Sequence, residues 1–289
     1  MKIAYVILHY LAEKDTIECA ESIINATKDS EHETTIIIID NGSTNNSYNT
    51  IKKSFEGNES VVIIRNDDNL GFAKGNNVGF RYAKEKIRAD FIVQLNNDTL
   101  VEQNDFNEKI VSKYEEKHYA VLGPDIVTTD GCHQNPGNKQ SWRLRELAFF
   151  RLKKRARILL TYLNMDSLAS RAIESTKKIY HTKTLCEDVE NTILHGACLI
   201  FSPLYISQFD GMCDETFLYM EEDILKLQAD YYGFLMLYSS ELMVFHKEDV
   251  STNMVEGTSN EKIRRKYRML IDSSKVYTRL KKKLIKEKK

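Results

Sequence analysis

Apolar residues in this chain come in short unbroken runs, and two of those runs end in an aspartate. Ile36-Ile37-Ile38-Ile39 closes on Asp40-Asn41-Gly42-Ser43, and Phe91-Ile92-Val93-Gln94-Leu95 closes on Asn96-Asn97-Asp98-Thr99. A short apolar run followed by polar turn formers reads as a parallel strand buried on both faces. Residues 3–9 and 61–65 read the same way. Helical patterns fill the intervals at 15–28, 48–56, 71–84 (opening on a glycine loop) and 104–117. Ala120 to Leu122 reads as a strand ended by Gly123-Pro124. Strands alternating with helices predict an α/β fold with a mostly parallel, doubly wound sheet. Beyond residue 190 the pattern predicts a strand near Ile193 to Phe201, a turn at Asp210-Gly211 and a helix from Glu221. Strands at Phe234 to Tyr238 and Leu242 to His246 complete it.

In open α/β sheets, ligands sit beyond the carboxyl ends of the strands. Two strand-end carboxylates therefore point to a polar ligand held with a cation. Alone, either aspartate reads equally well as a helix cap.

Composition narrows the class. The 289 residues are 42% hydrophobic with few glycines and prolines, as in an ordered globular chain. The first ten residues are too short and too strand-like for a signal peptide, and no apolar stretch is long enough to span a bilayer. Five scattered cysteines (Cys19, Cys132, Cys186, Cys198, Cys213) form no C-x-x-C pair, which fits a reducing, cytoplasmic setting. The net charge of -1 conceals an asymmetry: thirteen Lys/Arg and three Asp/Glu after residue 260 make that tail +10, against -11 for the rest. Such a tail suits an anionic partner.

Trp142 to Leu163 is amphipathic. Phe149, Leu152, Ala156, Leu159, Leu160 and Leu163 share one side; Arg151, Lys153, Lys154, Arg155 and Arg157 share the other. It reads either as a helix packed on the body or as an interfacial helix on an anionic membrane.

Three segments carry candidate chemistry. Asn69-Leu70-Gly71-Phe72-Ala73-Lys74-Gly75-Asn76-Asn77 matches neither the dinucleotide nor the Walker pattern, but it opens a helix whose N–H groups favour an anion. Leu95-Asn96-Asn97-Asp98 places a carboxylate in a polar turn, where it can hold Mg²⁺ or Mn²⁺ while phosphates complete the shell. Glu221-Glu222-Asp223 follows an aromatic run. These carboxylates read as an acidic first helical turn, with one of them a candidate general base. His246, after Leu242-Met243-Val244-Phe245, reads as a core histidine or a metal ligand.

Taken in order, the segments resemble family 2 glycosyltransferases of the GT-A fold, nearest the rhamnosyltransferase-like and galactosyltransferase-like members of bacterial surface-polysaccharide synthesis. The matching pieces are Tyr5 to His9, Asp40-Asn41-Gly42-Ser43, Asn69 to Asn77, Leu95 to Thr99, Gly123-Pro124, His195-Gly196-Ala197, Asp214 to Glu222 and His246, covering roughly 1–128 and 190–250. The resemblance implies a GT-A domain over 1–250: a nucleotide-sugar half at 1–128, a helical insertion at 140–185 and an acceptor and catalytic half at 190–250. A basic helical tail follows at 251–289. It further implies that Asp40 contacts the base or ribose of a nucleotide-diphosphate sugar. His9, Gly71, Lys74, Asn76, Asn77 and Asn97 line the donor site, and Asp98 and His246 hold a divalent metal. Trp142, His195 and Glu221 lie on the acceptor side, and Glu222 is the base of an inverting displacement. Three positions depart from the family pattern: Asn96 stands where a first D-x-D aspartate is expected, Glu222 where aspartate is common, and Gln228 where arginine is frequent. The register of Glu222 against Glu221 stays open by one. The implied acceptor is a glycan or lipid-linked glycan, with the enzyme peripheral on the inner face of the cell membrane through its basic helix and tail.

Two other classes compete. A nucleotidyltransferase shares strand-end aspartates and a metal, but Leu8 to Glu13 lacks the glycine- and basic-rich loop expected of one. A catalytically silent GT-A scaffold subunit is compatible with Asn96, Glu222 and Gln228. The basic tail carries no nucleic-acid reading motif, so no nucleic acid is expected.

Overall fold

The computed structural model describes residues 1–163, 185–248 and 258–288. Parts of the 140–185 insertion and the start of the 251–289 tail lie outside the described residues. The first half is built as its pattern predicts: β1 (Lys2–His9), α1 (Glu13–Thr27), β2 (Glu33–Asn41), α2 (Ser47–Ser54), β3 (Val61–Asn66), α3 (Phe72–Tyr82) and β4 (Phe91–Asn96). Then come β5 (Thr99–Leu100), α4 (Phe106–Lys117), β6 (Val121–Thr128) and α5 (Leu144–Tyr162). The second half holds β7 (Val189–Glu190), β8 (Cys198–Phe201), α6 (Pro203–Gln208), α7 (Glu221–Tyr232), β9 (Met236–His246) and α8 (Ser259–Glu287).

Nine strands form one sheet, in the order β3-β2-β1-β4-β8-β6-β9-β5 with β7 paired to β9. β1 pairs in parallel with both β2 and β4, and β2 with β3. Strand order thus reverses at β1, and the crevice of a doubly wound sheet opens there, beyond the ends of β1, β2 and β4. Apolar residues fill both faces. Ile36 and Ile38 pack with α1 and α4 on one side, while Ile37 and Ile39 pack with Phe80 of α3 on the other.

Three sequence expectations change. β6 runs through Gly123-Pro124 rather than ending there. Its register against β9 shifts between Pro124 and Asp125, and a proline, which has no N–H to donate, is tolerated at such an irregularity. The two strands expected at 234–246 are one strand, β9, across the same irregularity. The strand expected from Ile193 is confined to Cys198–Phe201, because residues 193–197 are bound instead by the 135–138 loop: Ile193 N–H donates to the Asn138 carbonyl (2.9 Å) and His195 N–H to Asn135 Oδ1 (2.8 Å).

The amphipathic segment is a helix, but turned against its pattern. Phe149, Leu152 and Leu159 are 58%, 63% and 61% exposed. The basic side of α5 meets α8 instead: Arg151 donates to Thr278 Oγ1 (2.9 Å), and Lys154 and Arg157 lie over the Tyr267 ring. Among the described residues, no helix is long and apolar enough to cross a membrane. α8 is tied to the body by Tyr277, buried with Leu147, Met220, Ile224 and Leu227. Tyr277→Ala should cost about 3 kcal/mol, as expected for emptying an aromatic site, read as a lowered urea midpoint.

Candidate active site

At the end of β2, Asp40 is fully buried. Its Oδ1 accepts from Ser43 N–H (3.1 Å), and Arg65 Nε lies 3.2 Å from Oδ2. The guanidinium is close enough for an ion pair, yet no N–H is aimed at Oδ2, which has no hydrogen-bond donor. Arg65 also stacks over Tyr48. His9 sits behind Asp40, fully buried between Thr16 Oγ1 (2.7 Å) and Ser47 Oγ (2.8 Å). Burial lowers its pKa to about 4, so it is a neutral prop for Asp40.

Around the glycine loop, Asn41 is the hub: its amide donates to Asn69 Oδ1 (3.1 Å) and the Gly71 carbonyl (3.2 Å), and its Oδ1 accepts from Leu70 N–H (3.1 Å). Gly71 has φ +83°, and a Cβ there would collide with the Phe217 carbonyl. That carbonyl accepts from Phe72 N–H (2.8 Å). Lys74 is exposed on the first turn of α3, whereas Asn76 and Asn77 face inward. Asn77 grips the Met212 backbone with both amide groups (2.7 and 2.9 Å). Segment 211–217 is thereby fastened to α3, and it leads directly into α7.

Beyond β4, Asn97 is turned inward toward Thr16 Oγ1 (3.1 Å), and Asp98 faces His246 with Oδ1 3.2 Å from Nε2. His246 Nδ1 contacts Gln134 Oε1 (2.8 Å), and the Gln134 amide donates to Glu248. With Nδ1–H engaged by Gln134, the Nε2 lone pair points at a carboxylate oxygen. Two acceptors so placed need a proton or a cation between them, and a partner on the far ring nitrogen is the usual support of a ligating histidine. Among the described residues, no three His, Cys, Asp or Glu groups are placed to hold one metal ion together. Asp98 and His246 could supply two ligands to a divalent cation, which would need further oxygen ligands from elsewhere.

His195 stands beside this pair, its ring centroid 5.8 Å from that of His246. The next residue, Gly196, donates its N–H to Glu222 Oε1 (3.2 Å). Glu222, His195, His246 and Asp98 therefore form one continuous wall. Glu221 points elsewhere: it is 4% exposed and accepts from Thr216 Oγ1 (2.8 Å). Trp142 lies on the outer side of α7, where its Nε1–H donates to Asp223 (2.9 Å). Gln134, Asn135 and Arg65 were not singled out from the sequence, and Asn41 was given no role beyond its place in the Asp40 motif; their contacts are long-range, so no local spacing signals them.

A model of the family described as glycosyl transferase family 2 matches residues 5–178. The chain belongs to that family. Its sheet and flanking helices have the GT-A arrangement of this transferase family. A hexosyltransferase of low-salt glycan biosynthesis, Agl10 of Haloferax volcanii, is 22% identical over 133 residues, 46% of this chain and 39% of that relative. The match thus spans well under half the relative's length. Among solved structures, residues 1–349 of TarS from S. aureus superpose with a TM-score of 0.55 at 13% identity, covering 93% of this chain and 71% of that one. The same protein with UDP gives 0.54 at 12% identity (93% and 71%), and with UDP-GlcNAc 0.54 at 13% identity (90% and 61%). At those identities the likeness is one of fold.

The two adjacent glutamates at the start of α7 differ in setting. Burial, then the neighbouring Glu222 charge, raises the Glu221 pKa from 4.5 to about 7. The folded state holds this proton more tightly than the unfolded chain, so the group's contribution to stability is fully present below pH 4.5 and lost as pH rises through about 7. The difference is at most about 3 kcal/mol. Glu221→Gln should flatten this dependence, raising Tm at pH 8 with little effect at pH 4.5, measured by thermal melts across that range.

Proposed function

We propose that this glycosyltransferase moves a hexosyl group from a nucleotide-diphosphate sugar to a hydroxyl of a lipid-linked glycan, with inversion at the anomeric carbon. The observation that carries the reading is the wall of Glu222, His195, His246 and Asp98 beside a crevice in which a buried Asp40 oxygen has no donor. The stacked Arg65 and Tyr48 beside Asp40 suit a flat ring such as a nucleobase. The solved UDP and UDP-GlcNAc complexes of the TarS fold neighbour support a nucleotide-sugar donor here. The division into a donor half at 1–128, an insertion at 140–185, a catalytic half at 190–250 and a tail at 251–289 belongs to the same reading.

Asp98 and His246 would hold Mg²⁺ or Mn²⁺. When bound, the cation neutralises charge on the departing nucleoside diphosphate. Glu222 takes the acceptor proton as the hydroxyl oxygen attacks the anomeric carbon. Gly196 N–H holds one carboxylate oxygen and keeps the side chain at the wall. The raised pKa of Glu221 would nominate it as the base, but a group sealed against Thr216 cannot reach an acceptor. Geometry comes first in choosing a base, and it favours half-buried Glu222. The exposed apolar side of α5 and the cationic tail support a peripheral place on the inner face of the membrane.

Glu222→Gln should lower transfer by about 10²–10⁴-fold while donor affinity, measured by calorimetry, changes less than about threefold. Unchanged turnover would remove Glu222 from the mechanism. Asp98→Ala should abolish any difference in donor affinity between Mn²⁺ and EDTA. A folded wild-type protein that binds no nucleotide sugar would shift the assignment to a silent scaffold.

A further inference from the structure

Between α5 and α8 runs a groove of about 600 Å³ lined by seven Lys and Arg side chains and Thr278, with no carboxylate in its walls. Arg151 and Arg155 come from α5; on α8, Lys275, Arg279, Lys282 and Lys286 recur at the spacing of one helix face. Some of this charge is balanced. Lys275 pairs with Asp272 (2.7 Å), Lys283 with Glu287 (3.9 Å) and Arg279 with Glu215, while Arg151 keeps its charge and donates to the neutral Thr278 hydroxyl. Arg155, Lys282 and Lys286 have no ion-pair partner among the described residues. Like charges converging from two elements repel one another unless an anion lies between them. A flat cationic face meets the average field of a surface, whereas a cleft with cations on both walls suits one small group of high charge. Along the groove's edge lies the exposed apolar strip of α5, with Phe149, Leu152 and Leu159. Cationic cleft and apolar strip together match a phosphorylated head group at the end of a hydrocarbon chain.

We propose that this groove binds the diphosphate of a polyprenyl-linked acceptor. The inference rests on the lipid-linked acceptor proposed above. Its position fits a role in catalysis: Arg279 lines the groove and pairs with Glu215, on the segment that Phe217 fastens to Gly71 and that leads into Glu222. A bound diphosphate would draw on Arg279 beside the loop that carries the base, so the acceptor's anchored end and its reacting end meet the same element.

The test is vesicle co-sedimentation of the full chain. Phosphatidylcholine vesicles carry either a polyprenyl diphosphate or phosphatidylglycerol at matched charge. Wild type should bind the diphosphate vesicles at least about tenfold more tightly. Each basic residue near an anionic surface is worth about a fivefold change, so Arg155→Ala/Lys282→Ala/Lys286→Ala should weaken diphosphate binding on the order of a hundredfold. Leu152→Ser/Leu159→Ser should weaken both vesicle types alike. Equal wild-type binding to both vesicles, or a triple variant that keeps the preference, overturns the proposal. Equal affinity for free inorganic pyrophosphate assigns the groove to a soluble anion and overturns the lipid commitment. Slow donor hydrolysis, followed in solution on the same preparations, separates the two readings: lost selectivity with intact hydrolysis refutes the groove alone, and absent hydrolysis in wild type refutes the transferase reading.

Discussion

Besides the pairing of β4 with β8, the two halves of this molecule meet where a peptide carbonyl lies against a residue with no side chain. The Phe217 carbonyl lies against Gly71 and accepts from Phe72 N–H, and Asn77 holds the Met212 backbone from the same helix. The crevice proposed for the donor lies beyond β1, β2, β4 and the start of α3; Glu222 belongs to α7, more than 120 residues later in the sequence. Nothing local sets the distance between them. Long-range contacts do: this joint, from which segment 211–217 runs into α7, the β4–β8 pairing, and the Gly196 N–H bond to Glu222. An alanine at Gly71 would combine a strained positive φ with a backbone collision, so this contact between α3 and the segment leading to α7 requires glycine.

Electrostatics then divides the labour around the joint. The family's chemistry needs carboxylates that are ionised and reachable, whereas folding disfavours burying them. Each one here meets that conflict differently. Asp40 keeps Arg65 beside one oxygen without a fully formed bond, Asp98 faces a histidine braced from behind by Gln134, and Glu222 leans on a backbone N–H. Glu221 is the one driven toward its neutral form, and it is turned away from the crevice toward Thr216. A raised pKa identifies the more buried of two neighbours, and burial is a poor property for a base that must touch a substrate from outside.

The strands were legible from sequence because a doubly buried parallel strand has to be apolar throughout, and the aspartates at their ends stood out against those runs. The elements around Pro124 were misread for a physical reason: proline breaks a ladder only where its missing N–H is needed, and a register shift removes that need. The orientation of α5 was equally hidden. A pattern of apolar and basic sides shows that a helix has two faces, but not which one meets the protein; here Tyr267 and Thr278 hold the basic one. Gln134 and Asn135 escaped notice because their roles arise from a loop folding back on β6 and β9, which no spacing in the sequence records. The ordered resemblance singled out Glu222 with its register open by one, and the contact of Glu222 with Gly196 sets it apart from the buried Glu221.

The outward-facing strip on α5 has a practical consequence at the bench. Phe149, Leu152 and Leu159 stay in water whenever the protein is handled without an amphiphile, and two such strips satisfy one another readily. An oligomer observed in plain buffer would then report on the solvent rather than on the assembly in a cell. Sizing in a mild detergent, or with the strip made polar, gives the stoichiometry that belongs to the chain.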